Sequence, residues 1–206
     1  MIAIIDYNMG NVGSIQNMIK KLGKKSIVTN NHKEIKNCKF LILPGVGSFD
    51  SGVKNLKKYN LFNLLKEIAN EGKTQILGIC LGMQLLCKTS EEGSEKGLGL
   101  IDASIIRFPK SKDLKIPHMG WNYVHPHEKS LLLKNYEEIP KFYFVHSYYM
   151  KCNNNFVISA KANYGIKFDC AFEINNIHGV QFHPEKSHKY GINLFKNFFN
   201  IIDNNG

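Results

Sequence analysis

The 206-residue chain is short of arginine, of paired cysteines and of long apolar runs, and each shortage narrows what it can be. Arg107 is the only arginine among 27 basic residues, so lysines carry the net charge of +10. They are scattered singly or in pairs, as at Lys20/Lys21, Lys24/Lys25 and Lys57/Lys58. Nucleic-acid binders gather basic residues in stripes and favour arginine for planar contacts, so no nucleic-acid partner is expected. The lysines read as a solvated surface, or as a rim that meets an acidic partner or a phosphorylated substrate. Cys38, Cys80, Cys87, Cys152 and Cys170 are odd in number and contain no C-x-x-C pair. That argues against a disulfide framework and the common zinc spacings, and for a reducing cytoplasm. No stretch approaches the roughly 20 apolar residues a membrane span needs. The run from Met1 to Asp6 lacks the basic flank and length of a signal peptide, so a cytoplasmic chain with no membrane partner is expected. There is no repeat and no low-complexity linker. With 43% apolar residues, the chain reads as one domain over 1–206 with a full core.

What is present is an alternation of short apolar runs with helical patterns. Ile2 to Ile5 reads as a buried strand, followed by a Gly10-Asn11 turn and a helix from Val12 to Leu22. Phe40 to Leu43 is a second strand, stopped by Pro44-Gly45-Val46-Gly47. Leu61, Leu64, Leu65 and Ile68 mark one helix face, and Gln75 to Ile79 returns as a central strand. Such alternation predicts an α/β fold with a largely parallel sheet flanked by helices. Beyond residue 100 strands dominate: Lys141 to Tyr149, Asn155 to Lys161, Cys170 to Ile174 and Ile177 to Phe182. The second half is expected to be more antiparallel. A closing helix places Ile192, Phe195, Phe198, Phe199 and Ile202 at helical spacing, as core.

Three segments carry chemistry. Gly78-Ile79-Cys80-Leu81-Gly82 has the form glycine-x-nucleophile-x-glycine, where a buried strand meets a helix starting near Met83. A sharp elbow needs glycines on both sides because strand and helix come close there, leaving the nucleophile strained and accessible at the strand's carboxyl end. The same pattern also suits a buried cysteine packing as a small apolar residue. Gly179 to Phe182 is an apolar strand leading into His183-Pro184-Glu185. Residues two apart on extended backbone point the same way, so Glu185 can hold one ring nitrogen of His183 while the other faces a thiol. Taken alone, a His-x-Glu pair also fits a surface. Found together with the elbow, the three side chains read as nucleophile, base and orienting carboxylate. The loop Pro44-Gly45-Val46-Gly47 would bring backbone N–H groups to the same sheet edge. With the N–H of Leu81 these could form an oxyanion hole for acyl transfer. An ordinary strand-ending turn is the alternative.

Together these pieces resemble the class I glutamine amidotransferase family of the Cys-His-Glu type, and within it the glutaminase subunits of imidazole glycerol phosphate synthase. The resemblance also rests on Asp6-Tyr7-Asn8-Met9-Gly10-Asn11, Pro117-His118-Met119-Gly120-Trp121-Asn122 and Tyr143-Phe144-Val145-His146-Ser147-Tyr148-Tyr149, and runs from Ile2 to the closing helix. It implies a flavodoxin-like sheet with Cys80, His183 and Glu185 at its carboxyl edge, and no metal or organic cofactor. It implies glutamine held by Gln84, by backbone at Gly45 and Gly47, and by His146, Ser147 and Tyr148, with Val46 in the oxyanion loop. It implies a heterodimer with a (β/α)₈-barrel cyclase that takes up the ammonia to make imidazole glycerol phosphate and aminoimidazole carboxamide ribotide. The docking face would include Met9, Asn11, Trp121, Asn122 and Lys186, with plain core as the alternative for Trp121 and a turn cap for Asn11. Asn8 stands where these subunits usually have glycine. The segments Gly13 to Met18 and Lys186 to Gly191 also resemble paralogues that feed ammonia to surface-sugar modification. A non-catalytic interaction subunit is a further alternative, against which the intact triad argues.

Overall fold

A computed structural model describes residues 1–110, 114–153 and 157–201. Its sheet is built around five parallel strands in the order β2-β1-β3-β4-β12: β1 (Ile2–Ile5), β2 (Ser26–Thr29), β3 (Phe40–Leu43), β4 (Gln75–Ile79) and β12 (Ile177–Val180). Beyond β12 the sheet turns antiparallel through β11 (Ile166–Ile174), β10 (Ile158–Tyr164), β7 (His118–Pro126) and β8 (Lys141–His146). Three further strands, β5 (Thr89–Ser90), β6 (Ala103–Arg107) and β9 (Tyr148–Cys152), pair off that path. The α/β fold and its more antiparallel second half are as the sequence predicts.

Both faces of β1, β3, β4 and β12 are covered, which is why these strands read as continuous apolar runs. Successive residues alternate between two cores: Ala3, Ile5, Leu41 and Leu43 pack on one side, Ile2, Ile4 and Ile42 on the other. The first core holds α2 (His32–Lys36), α3 (Phe49–Lys58), α4 (Leu61–Glu71) and α5 (Leu81–Leu85); the second holds α1 (Val12–Lys21) and α6 (His188–Phe199). Local chemistry sets the ends. The Asn11 side chain accepts from the Ser14 N–H at the start of α1, Asn31 accepts from Lys33 and Glu34 at the start of α2, and Gly72 ends α4 at φ 72°.

Several boundaries differ from the expectation. Strand β2 and helices α2 and α3 are additional elements. The elbow helix begins at Leu81, not near Met83. The run Lys141 to Tyr149 breaks at Ser147 into β8 and β9, because β9 leaves β8 to pair with β6 and β11. Asn155 and Ile202, which the sequence assigns to a strand and to the closing helix, lie outside the described residues. Among the described residues no helix is long and apolar enough to cross a membrane.

Candidate active site

The parallel strands end together, so the loops after β1, β3, β4 and β12 meet at one carboxyl edge, where open α/β sheets place their sites. Cys80 sits where β4 passes into α5, with φ 54° and ψ −111°. A backbone of that kind costs a residue with a β-carbon about 1–3 kcal/mol. The turn closes only because glycine flanks it. A β-carbon on Gly78 would lie 2.7 Å from the Met83 Cα, and one on Gly82 would lie 1.8 Å from the Leu43 carbonyl oxygen. Hydrogen bonds lock the elbow from both sides, Cys80 N–H to the Val180 carbonyl at 2.8 Å and Gln84 N–H to the Cys80 carbonyl at 3.1 Å.

His183 follows β12, which lies beside β4 in parallel register, Val180 opposite Ile79. Its N–H donates to the Tyr143 carbonyl at 2.8 Å, and the Ser187 hydroxyl donates to the His183 carbonyl at 2.6 Å. These bonds fix the short 3₁₀ turn Pro184–Lys186, which brings Glu185 Oε1 to 2.7 Å from His183 Nδ1. The two side chains are 2% and 3% exposed. Because the carboxylate accepts, the ring carries its proton on Nδ1. Among the described residues Nε2 has no hydrogen-bond partner, and His183 lines the same cavity as Cys80. Burial opposes charge on the ring, but interaction with Cys80 and Glu185 outweighs it and raises the His183 pKa.

The cavity, about 220 Å³, is lined by Val46, Gly47, Cys80, Leu81, Gln84, Glu92 and Pro117 and by the segment Val145 to Tyr148, besides His183. Drug-sized ligands occupy roughly 300–1,000 Å³, so this space suits something the size of an amino acid. Larger hollows, about 650 Å³ along β7 and β10 and about 480 Å³ beside Phe62, contain neither Cys80 nor His183. The loop after β3 lies directly on the elbow: a β-carbon on Gly45 would fall 2.7 Å from Leu81 Cβ and 2.8 Å from the Gly82 nitrogen. The buried Tyr7 hydroxyl donates to the Pro44 carbonyl at 2.5 Å and ties down the loop's first residue. Val46 is 51% exposed, and Gly47 has φ 121°.

The binding residues drawn from the resemblance also gather here, with differences in what they present. Gln84 is buried, where its sequence alone would pass for exposed helix, and its amide donates to Gln181 Oε1 at 3.0 Å. Gln181 in turn donates to the Cys80 sulfur at 3.7 Å. Sequence reasoning assigned Gln181 no role, yet it stands two residues before His183 and one past β12, on the strand beside the elbow. Both ring nitrogens of His146 are engaged, by His118 and by the Tyr148 carbonyl. Glu92, also missed, adds a carboxylate to the cavity wall while accepting from the Phe49 N–H at 2.8 Å.

Of the expected docking residues, Trp121 is 48% exposed, which excludes its core alternative, and stacks on His188 with a 5.6 Å centroid separation. Lys186 is exposed, its ammonium 5.6 Å from the Tyr143 ring, and Tyr143 pairs with Trp121 across β7 and β8. Met119, Trp121 and Tyr123 form an exposed apolar row on β7. Met9 lies against Gly47, Asn11 caps α1, and Asn122 is half-buried. Asn8 has φ 60°, a left-handed conformation that asparagine tolerates nearly as glycine does. A glycine at this position would be compatible with the same backbone.

A strained cysteine, a buried histidine-carboxylate pair and a glycine-rich loop at the edge of a parallel sheet define a class, and comparison with known proteins agrees. The chain belongs to the glutamine amidotransferase class-I family, whose family model matches residues 3–202, and within it to the imidazole glycerol phosphate synthase HisH subunits. It is 54% identical to imidazole glycerol phosphate synthase subunit HisH 2 of Methanococcus maripaludis over 96% of this chain and 98% of that one. It is 46% identical to HisH 2 of Pseudomonas aeruginosa over 98% and 100%. The fold is similar to that of a solved glutamine amidotransferase, with a TM-score of 0.76, 17% identity and 97% of each chain covered. It is also similar to PurLQS from Thermotoga maritima, with a TM-score of 0.73, 16% identity and 98% of each chain covered.

Proposed function

We propose that this chain, as one amidotransferase domain over residues 1–206, hydrolyses glutamine to glutamate and ammonia and hands the ammonia to a barrel-shaped cyclase in histidine biosynthesis. The observation that carries the reading is the His183–Glu185 pair, buried at 2.7 Å, on the cavity that also holds the strained Cys80. Cys80 Sγ attacks the side-chain amide carbon of glutamine. The tetrahedral oxyanion takes hydrogen bonds from backbone N–H groups of the Val46–Gly47 loop and Leu81. His183, protonated and held by Glu185, gives its proton to the departing ammonia. Water then adds to the glutamyl thioester with His183 as base, and breaking the C–S bond returns Cys80 and releases glutamate. Gln84 and the Ser147–Tyr148 backbone are the polar groups set to meet the amino acid's main-chain end, and Glu92 supplies the negative charge an α-ammonium calls for.

The ammonia needs an acceptor. The exposed row Met119, Trp121 and Tyr123, with Lys186, His188, Met9 and Asn11 on the same edge, is the surface on which the cyclase docks. Purified chain mixed with the cyclase is expected to form glutamate from glutamine. Absence of glutamate where the complex demonstrably assembles overturns the reading. Cys80→Ala is expected to abolish glutamine use and leave ammonia-driven synthesis by the cyclase intact. A second acceptor, in surface-sugar amidation, would use the same site. Because the Asn8 backbone is one that glycine is compatible with, that departure no longer favours it, and supply of either acceptor enzyme decides between them.

A further inference from the structure

His146, on the wall of the cavity, and His118, behind it, form a pair of buried histidines that the proposed mechanism does not use. His118, on β7, and His146, at the end of β8, stand opposite each other in the antiparallel register, with His118 Nδ1 2.9 Å from His146 Nε2. His118 is held in a slot, stacked on Phe144 at 4.7 Å and Tyr164 at 4.0 Å between ring centroids. Its Nε2 lies 3.2 Å from Asn122 Nδ2, and at the other end His146 Nδ1 lies 2.7 Å from the Tyr148 carbonyl.

The direction of every proton in this chain follows from its two ends. A carbonyl only accepts, so His146 carries its hydrogen on Nδ1 and its Nε2 accepts; His118 must then donate from Nδ1 and accept at Nε2. From the opposite end, the Asn122 amide is oriented by two other bonds, its Oδ1 accepting from the Tyr123 N–H at 2.8 Å and its Nδ2 donating to the Asn163 carbonyl at 2.8 Å. Its remaining N–H therefore points at His118 Nε2, which must accept. Both ends demand the same arrangement, with both imidazoles neutral and protonated on Nδ1. Burial independently disfavours charge on either ring, lowering the His118 pKa to about 4 and the His146 pKa to about 3.

Given the proposed glutaminase reading, we infer that His118 is a positioning residue for glutamine: Asn122, His118 and His146 form a one-directional hydrogen-bond chain that sets the Ser147–Tyr148 wall of the cavity and ties it to the exposed strand β7. The Tyr148 carbonyl at its end also lies 3.5 Å from the Gln84 amide nitrogen, so a shift there moves two elements of the cavity together.

Two measurements test this. Nitrogen-15 NMR of histidine-labelled, unaltered protein is expected to show His118 and His146 in the Nδ1–H form; finding either as Nε2–H or as imidazolium overturns the hydrogen-bond chain. In the complex with the cyclase, His118→Phe keeps the stacked ring but deletes both bonds. It is expected to raise the glutamine KM about tenfold with kcat within about threefold. His118→Asn restores a donor near the former Nδ1 and is expected to recover most of that loss. A KM within twofold of the parent for folded His118→Phe overturns the positioning role. If the unaltered complex forms no glutamate, the glutaminase reading fails instead, and the tautomers still decide the hydrogen-bond chain.

Discussion

Replacing Glu185 by glutamine removes one charge from a site where little else can take its place. The carboxylate lies 2.7 Å from His183 Nδ1, both side chains are almost fully buried, and Glu185 Oε2 has no hydrogen-bond partner among the described residues. When His183 takes up a proton, its charge is opposed by that carboxylate. At an effective dielectric of about 20 and about 4 Å between charge centres, the interaction is worth about 4 kcal/mol, or about a thousandfold in rate if it is realised only in the transition state. An amide that donated to Nδ1 would also place the ring hydrogen on Nε2, facing the thiol, and deepen the loss towards about 10⁴-fold. Glutamate release by the complex should therefore show kcat down about 10³-fold with the glutamine KM within about threefold. A loss under tenfold in a folded, assembled variant would refute the assignment of Glu185. Stability gives an independent check. A His183 pKa raised above its unfolded value of about 6.5 contributes stability fully below that pH and loses it as pH rises through the raised value. The parent's advantage over Glu185→Gln in urea unfolding should thus shrink as pH climbs above about 6.5.

Gln181→Leu removes the amide that donates to the Cys80 sulfur and takes from Gln84 the nearer of its two acceptors; kcat should fall about tenfold to a hundredfold and alkylation of Cys80 by iodoacetamide should slow, both measurable in the assembled complex. Gly191→Ala tests a site on α6 that touches no substrate. Its β-carbon would stand 1.8 Å from the Pro184 carbonyl oxygen, so it should displace the His183–Glu185 turn and cost about 1–3 kcal/mol in thermal or urea unfolding, with kcat lowered as well. Glu92→Gln should raise the glutamine KM about tenfold with kcat little changed, since it removes charge from the cavity wall and not from the reacting atoms. Trp121→Ala should weaken association with the cyclase by about 2 kcal/mol, some thirtyfold in Kd by calorimetry, while unfolding of the isolated chain changes little.

What could be read in advance was what lies close along the chain. The elbow is five consecutive residues and the His183–Glu185 pair three, so their chemistry is carried by local backbone geometry and needs no knowledge of pairing. Four of the five parallel strands, β1, β3, β4 and β12, were equally legible, because burial on both faces turns each into a plain apolar run. Strand β2 escaped because Ser26, Ile27 and Val28 are only partly buried at the sheet's edge. Helix α3 escaped because its interior glycine is a poor helix former; that glycine is needed where Gly52 packs under Leu85, whose methyl carbons would lie 3.0 Å and 3.1 Å from an added β-carbon. Two of the unrecognised residues, Gln181 and His118, share another property: both are placed by strand register. Gln181 reaches Cys80 only because β12 pairs with β4 so that Val180 faces Ile79. His118 meets His146 only because β7 and β8 pair so that those two residues face each other, and a one-residue slip of either strand would turn its ring to the opposite face of the sheet, away from the other. The residues proposed as nucleophile, base and carboxylate could therefore be picked out from sequence, while the groups packed around them needed the sheet.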